Sequence, residues 1–208
     1  LRVMVLRRVL SALLLALLLP LPAGAHDRPS VLVELFTSQG CSSCPPADRL
    51  LGDLSARPGV VALAFHVDYW DYLGWRDSFA RPAHTRRQSA YRAALGARAV
   101  YTPQMVVAGR ADVVGSKVRK VEALIAAAHE TLAPVRIAIV AEGGAPVLEI
   151  APAGPTTGGA LWLAVYDRTA PVDIARGENA GRSFVYHNVV RRHEEIGAWA
   201  GEGAARFE

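Results

Sequence analysis

The chain has 208 residues, with 23 Lys and Arg against 19 Asp and Glu, a formal net charge of +4. Three of the arginines lie within positions 1–25, and without that segment 20 basic residues face 19 acidic ones. So balanced a remainder, with no basic run and no glycine-rich phosphate loop, leaves no footprint for nucleic acid or an anionic membrane surface.

In chain order, residues 1–25 read as a signal peptide. Arg2, Arg7 and Arg8 give a positive start, an apolar run covers 9–21, and Ala23-Gly24-Ala25 offers the small residues that signal peptidase requires. The run falls short of the roughly 20 residues that a membrane-spanning helix needs. The mature protein is therefore expected to begin at His26, in the periplasm or secreted, with no stable membrane association after cleavage.

The mature part opens with a short apolar run at 31–36, rich in strand formers, followed by a turn at 37–40. Cys41-Ser-Ser-Cys44-Pro-Pro46 comes next, then helical spacing in Leu50, Leu51 and Leu54, and a second buried strand at 60–67. Strand, cysteine turn, helix and strand make the opening of an α/β unit. Residues 68–79 are crowded with aromatics, and 82–95 read as an amphipathic helix. A third strand is expected at 100–107, interrupted by Pro103, with a partner at 112–114. A helix capped by Ser116 should run to Leu132. From Pro134 the composition shifts to antiparallel strands at 135–141, 147–151, 161–166 and 184–191, separated by glycine-rich turns. A soft boundary therefore divides 26–133 from a β-rich C-terminal region at 134–208, unless these strands extend the first sheet.

Cys41 and Cys44 are the chain's two cysteines. Behind an export signal they lie where disulfides persist. A bond across a four-residue loop removes little chain entropy, so redox chemistry is a better use for it than stapling the fold. A thiolate must form, and Cys41 at a helix N-terminus would gain from the macrodipole and from the N–H groups of Ser42, Ser43 and Cys44. Pro45 and Pro46 have no N–H. Either the first turn is distorted, or the helix begins at Pro45 with Cys44 near its cap, where the dipole acts more on Cys44. Glu34 lies in a strand that otherwise reads as buried, so its carboxylate needs a partner or a raised pKa.

The order strand, Cys-x-x-Cys, helix, strand, helix, Thr-Pro strand, hairpin, helix resembles the thioredoxin superfamily. The string from Glu34 to Asp48, together with His66-Val-Asp-Tyr-Trp-Asp71, Tyr101-Thr-Pro-Gln104 and Tyr186-His-Asn-Val-Val190, is similar to a family of secreted thioredoxin-like bacterial proteins of uncharacterised function. The resemblance implies a thioredoxin-like α/β fold with a helical insertion at about 68–98. It implies that Glu34 handles the proton of Cys44, that the bond before Pro103 is cis, and that the Thr102 backbone pairs with an incoming peptide. The closer family continues past Glu208, which implies a further strand.

Trp70 and Tyr72, with Tyr69, Trp75 and Phe79, either wall a substrate groove or pack the insertion; His66 and Asp68 end the second strand. The leading expectation is an exported thiol–disulfide oxidoreductase, acting on protein or small-molecule thiols and disulfides without a cofactor. A binding module with a structural disulfide is the alternative. A further one is a soft-metal carrier, using both thiolates with Met105 or His66, although no second cysteine pair or His-x-x-His is present.

Overall fold

A computed structural model describes residues 29–133 and 135–207; the expected leader and the cleavage point before His26 lie outside them. The first elements are β1 (Val31–Thr37), α1 (Pro45–Ser55) and β2 (Val60–His66). β1 and β2 are parallel, with Val31 opposite Val60 and Thr37 opposite His66. A parallel pair needs a crossover, and α1 supplies it. Both strands are almost wholly apolar because helices cover both faces, as parallel pairing requires.

A 3-10 turn (Asp71–Leu73) and α2 (Pro82–Ala94) follow. Next come the hairpin β3 (Gln104–Val107) and β4 (Ala111–Val114), and then α3 (Val118–Thr131). The rest is strand: β5 (Val135–Glu142), β6 (Ala145–Pro152), β7 (Gly159–Ile174), β8 (Arg182–Trp199) and β9 (Ala205–Phe207). The main sheet has the order β4-β3-β1-β2-β8-β7, and β5-β6-β9 form a separate antiparallel sheet. β8 joins β2 in parallel, at Ala64 opposite Val189, and β7 antiparallel. The β-rich C-terminal region is thus present but divided. One hairpin widens the first sheet and the other builds its own, with the β5–β6 turn closed by Gly143 and Gly144, both at positive φ, as a two-residue hairpin demands.

Strand alternation sorts the core into two layers. Val31, Val33 and Leu35 pack with Leu50, Leu51 and Leu54 of α1 and Val121 and Ile125 of α3. Phe36, Phe65 and Val106 point the other way, toward Tyr91 of α2 and Leu95. The three leucines, at roughly 2 kcal/mol each for full burial, anchor the helix that follows Cys44.

Two boundaries differ from expectation. β3 starts at Gln104, after the proline that has no N–H to give a ladder. Lys117, not Ser116, is the N-cap of α3, and no side chain caps it. Among the described residues no helix is long and apolar enough to cross a membrane.

Candidate functional site

β1 delivers the chain to a turn at Ser38-Gln39-Gly40, and the Cys41 N–H donates to the Ser38 carbonyl (3.1 Å). Cys44 is the N-cap of α1, in helical conformation (φ −77°, ψ −34°), with Pro45 and Pro46 in the first turn. The helix therefore begins at Pro45, where a missing N–H costs nothing. Cys41 and Cys44 form a disulfide with Cα atoms 5.4 Å apart, and both are buried, at 2% and 0% exposure.

The three expected N–H donors are largely committed elsewhere. Ser42 N–H donates to the Glu178 carboxylate (3.2 Å) and Cys44 N–H to the Cys41 carbonyl (3.3 Å). The group beside the first sulfur is instead a hydroxyl, Ser43 Oγ, 3.4 Å from Cys41 Sγ and able to donate to it.

The loop is clamped from far along the chain. Asn179, in the turn between β7 and β8, donates through Nδ2 to the carbonyls of both Gln39 (2.9 Å) and Cys41 (3.0 Å). Arg182 steadies it by donating to Asn179 Oδ1 (2.8 Å). On the other flank, Trp75 donates to Gln39 Oε1 (2.7 Å) and Trp70 to Thr102 Oγ1 (2.8 Å). Trp70 lies so close to Gly40 that an added Cβ would meet its Cβ at 3.2 Å. The Thr102–Pro103 peptide is cis. Trp70 thus bridges the cysteine turn and Thr102. Tyr72 does not take part; it stands 77% exposed on the 3-10 turn.

Beneath the loop is a buried polar cluster that the sequence reading passed over, apart from His66. Thr37 donates to Asp48 Oδ1 (2.7 Å). Burial pushes the Asp48 carboxyl from 3.8 up to about 7, against the lowering influence of His66 and of the Thr37 hydrogen bond. Asp48 Oδ2 and His66 Nε2 are both buried without a hydrogen-bond partner among the described residues. His66 Nδ1 pairs with Asp77 Oδ2 (2.7 Å) in full burial. Burial opposes ionisation of Asp77, but His66 and the N–H groups of Gln39 and Phe79 outweigh it and hold its carboxyl below the usual range. The rings of Tyr186 and Phe79 close over His66, with centroids 4.7 and 5.2 Å away. Burial, followed by the charges of Asp48 and Asp77, raises the Tyr186 hydroxyl above its ordinary range.

Glu34 is buried as expected, but its partners are not the cysteines. Its carboxylate accepts from Arg87 Nε (2.6 Å) and from the Tyr91 hydroxyl, both on α2. Val33 and Leu35 face α1, so alternation turns Glu34 to the opposite face of the sheet. Burial and the nearby Glu34 charge raise the Tyr91 hydroxyl. The soft-metal ligands are likewise engaged: Met105 is packed in the α1–α3 core layer and His66 is held by Asp77. Among the described residues no group of three or more His, Cys, Asp or Glu could hold a metal ion.

Sequence signals for the missed residues were uneven. Asp48 follows Cys44 by one helical turn, a spacing visible in the sequence. Asn179 and Glu178 lie more than 130 residues away and carry no local mark.

Comparison with known proteins places the chain. It belongs to the family described as "Protein of unknown function (DUF1223)", whose model matches residues 32–208. It is similar to a structural-genomics protein of Agrobacterium tumefaciens, with 34% identity and a TM-score of 0.75 over 88% of this chain and 80% of that one. HBP35 of Porphyromonas gingivalis shares the fold at 12% identity, with a TM-score of 0.56 over 86% of this chain and 63% of that one. No curated protein matches the chain.

Proposed function

We propose that the protein is an exported thiol–disulfide oxidoreductase with a thioredoxin-like core, working through Cys41 and Cys44 on protein or small-molecule thiols and disulfides. In this reading β1, α1, β2, β3, β4 and α3 are the core, and residues 68–98 are a helical insertion. One observation carries it: the chain's two cysteines close a four-residue ring at the start of α1, above buried titratable groups. As a staple that ring removes about 2 kcal/mol of loop entropy, against nearly 5 for a loop of about 100 residues. Such a small structural return favours a chemical use.

The buried sulfurs require the loop to open, and its outer residues, Ser42 and Ser43, are exposed. The start of α1 at Pro45 turns its dipole more toward Cys44, but Ser43 Oγ is placed to stabilise a thiolate on Cys41, and this local donor supports Cys41 as the attacking sulfur. Equilibration against glutathione ratios, with alkylation of free thiols as the readout, tests the proposal. Exchange at a midpoint within the range of known oxidoreductases is expected. A pair that stays oxidised down to about −300 mV behaves as a structural disulfide and would leave a binding module in place of an enzyme. N-terminal sequencing of the exported protein tests the location, with His26 as the expected first residue.

A further inference from the structure

We propose that Asp48, held by Thr37 beside the His66–Asp77 pair, takes and returns the proton of the Cys44 thiol during disulfide exchange. This rests on the oxidoreductase reading and assigns the proton path within it.

The placement follows from helix geometry. Asp48 N–H donates to the Cys44 carbonyl (3.1 Å), the i to i−4 bond of a regular first turn. Side chains four apart rise on one helix face, with Cβ atoms about 5–6 Å from each other. Both residues are buried, and the spacing places the two side chains on the same face of α1, one turn apart.

Strand register supplies the support. Thr37 and His66 are opposite one another at the ends of β1 and β2, and register partners point to the same face. Thr37 shares the face of Val33 and Leu35, against which α1 packs. It thereby brings its hydroxyl to Asp48 Oδ1 and sets the His66 ring beside it. The groups facing Asp48 are His66 from β2, Asp77 beyond it, Arg49 on its own helix and Tyr186 from β8. Asp48 Oδ1 is committed to Thr37, whereas Oδ2 has no partner among the described residues. A buried carboxylate oxygen left without a donor is costly. Protonation of that oxygen removes the charge, and the burial-raised pKa of about 7 lets the proton come and go near neutrality. Asp48 also lines a cleft of about 390 Å³ with Pro45, Arg49, Arg182 and Phe184.

The step balances in both directions. When the reduced pair meets a protein or small-molecule disulfide, the Cys41 thiolate displaces one thiolate and forms a mixed disulfide. The Asp48 carboxylate then takes the proton from Cys44, and the Cys44 sulfur attacks Cys41 Sγ. The second substrate thiolate leaves and is protonated by solvent. Two electrons pass from the cysteine pair to the substrate disulfide, and the Cys41–Cys44 bond forms. In reverse, a substrate thiolate attacks Cys41 and the Asp48 carboxyl protonates Cys44 as it departs.

The test is the rate at which dithiothreitol reduces the oxidised protein from pH 5 to 9, normalised to the reductant's own thiolate fraction. The wild-type profile should bend near pH 7. Asp48→Asn, nearly isosteric, should abolish the bend and slow the reaction by about tenfold to a hundredfold, at or below the low end of general acid–base effects. Thr37→Val removes a hydrogen bond that lowers the Asp48 pKa, so its bend should move to higher pH while the loop stays intact. A bend that persists unchanged in both variants makes Asp48 structural and overturns the inference. A wild-type disulfide that fails to exchange with dithiothreitol and glutathione at any pH defeats the oxidoreductase reading itself.

Discussion

Replacing Asp48 by Asn removes a buried acid whose energetic cost depends on pH, and the size of that cost can be worked out. Burial takes the carboxyl from 3.8 to about 7, some three units. At about 1.4 kcal/mol per unit this amounts to about 4 kcal/mol. Between these two values the native state holds a proton that the unfolded chain has lost. Asp48 therefore contributes its full stability below pH 4, loses it progressively as pH rises to 7, and adds no further change above. His84 and His193 act in the opposite sense. Burial first, and neighbouring positive groups with it, lower both to about 4, so their contribution is present above pH 6.5 and lost as pH falls through about 4. The wild-type curve alone would blend these effects. The difference between Asp48→Asn and wild type cancels the contributions of His84 and His193. That difference should favour the variant by about 4 kcal/mol more at pH 8 than at pH 4, in urea unfolding of the oxidised proteins extrapolated to water. A gap that stays constant across this range would refute the assignment of a near-neutral pKa to Asp48.

Three further outcomes are expected. Cys44→Ala should accumulate mixed disulfides with exported proteins, seen on non-reducing gels, while Cys41→Ala traps almost none; the reverse would make Cys44 the attacking sulfur. Asn179→Ala leaves the Gln39 and Cys41 carbonyls without their shared donor. It should cost about 1–3 kcal/mol in urea unfolding and speed reduction of the disulfide. Glu34→Gln breaks a pair with Arg87 and should lower stability by roughly 3 kcal/mol, yet leave the pH profile of exchange unchanged. A shifted profile would mean that Glu34 reaches the cysteines through the sheet.

What the sequence made legible were features carried by short-range pattern. Val31–Thr37, the three leucines of α1 and the Gly143-Gly144 turn announce themselves because apolar period and turn chemistry act within a few residues. The cysteine pair was legible for the same reason. Glu34 shows where such reading stops. Its burial followed from its neighbours, but its partners depended on which face of the sheet it occupies, and residues 53 and 57 positions away decided that. The parallel seam between β2 and β8 was beyond the reach of local pattern too, as Ala64 and Val189 carry no mark of pairing. Asp48 was visible as a helical position but not as a buried one, because its burial depends on Thr37, Tyr186 and the end of β2.

The Asn179 clamp has a consequence for the order of assembly. The four-residue ring of Cys41 and Cys44 can close as soon as those residues meet an oxidant, since almost no chain must be gathered to bring the sulfurs together. Its clamp lies 138 residues further on and is positioned only when the hairpin of β7 and β8 docks against β2. Contacts of such sequence separation form late. In an oxidising medium the folding chain should thus pass through a stage in which the bond already exists while its Asn179 clamp is absent. Its exposure to other thiols in that interval is governed by the arrival of the C-terminal hairpin.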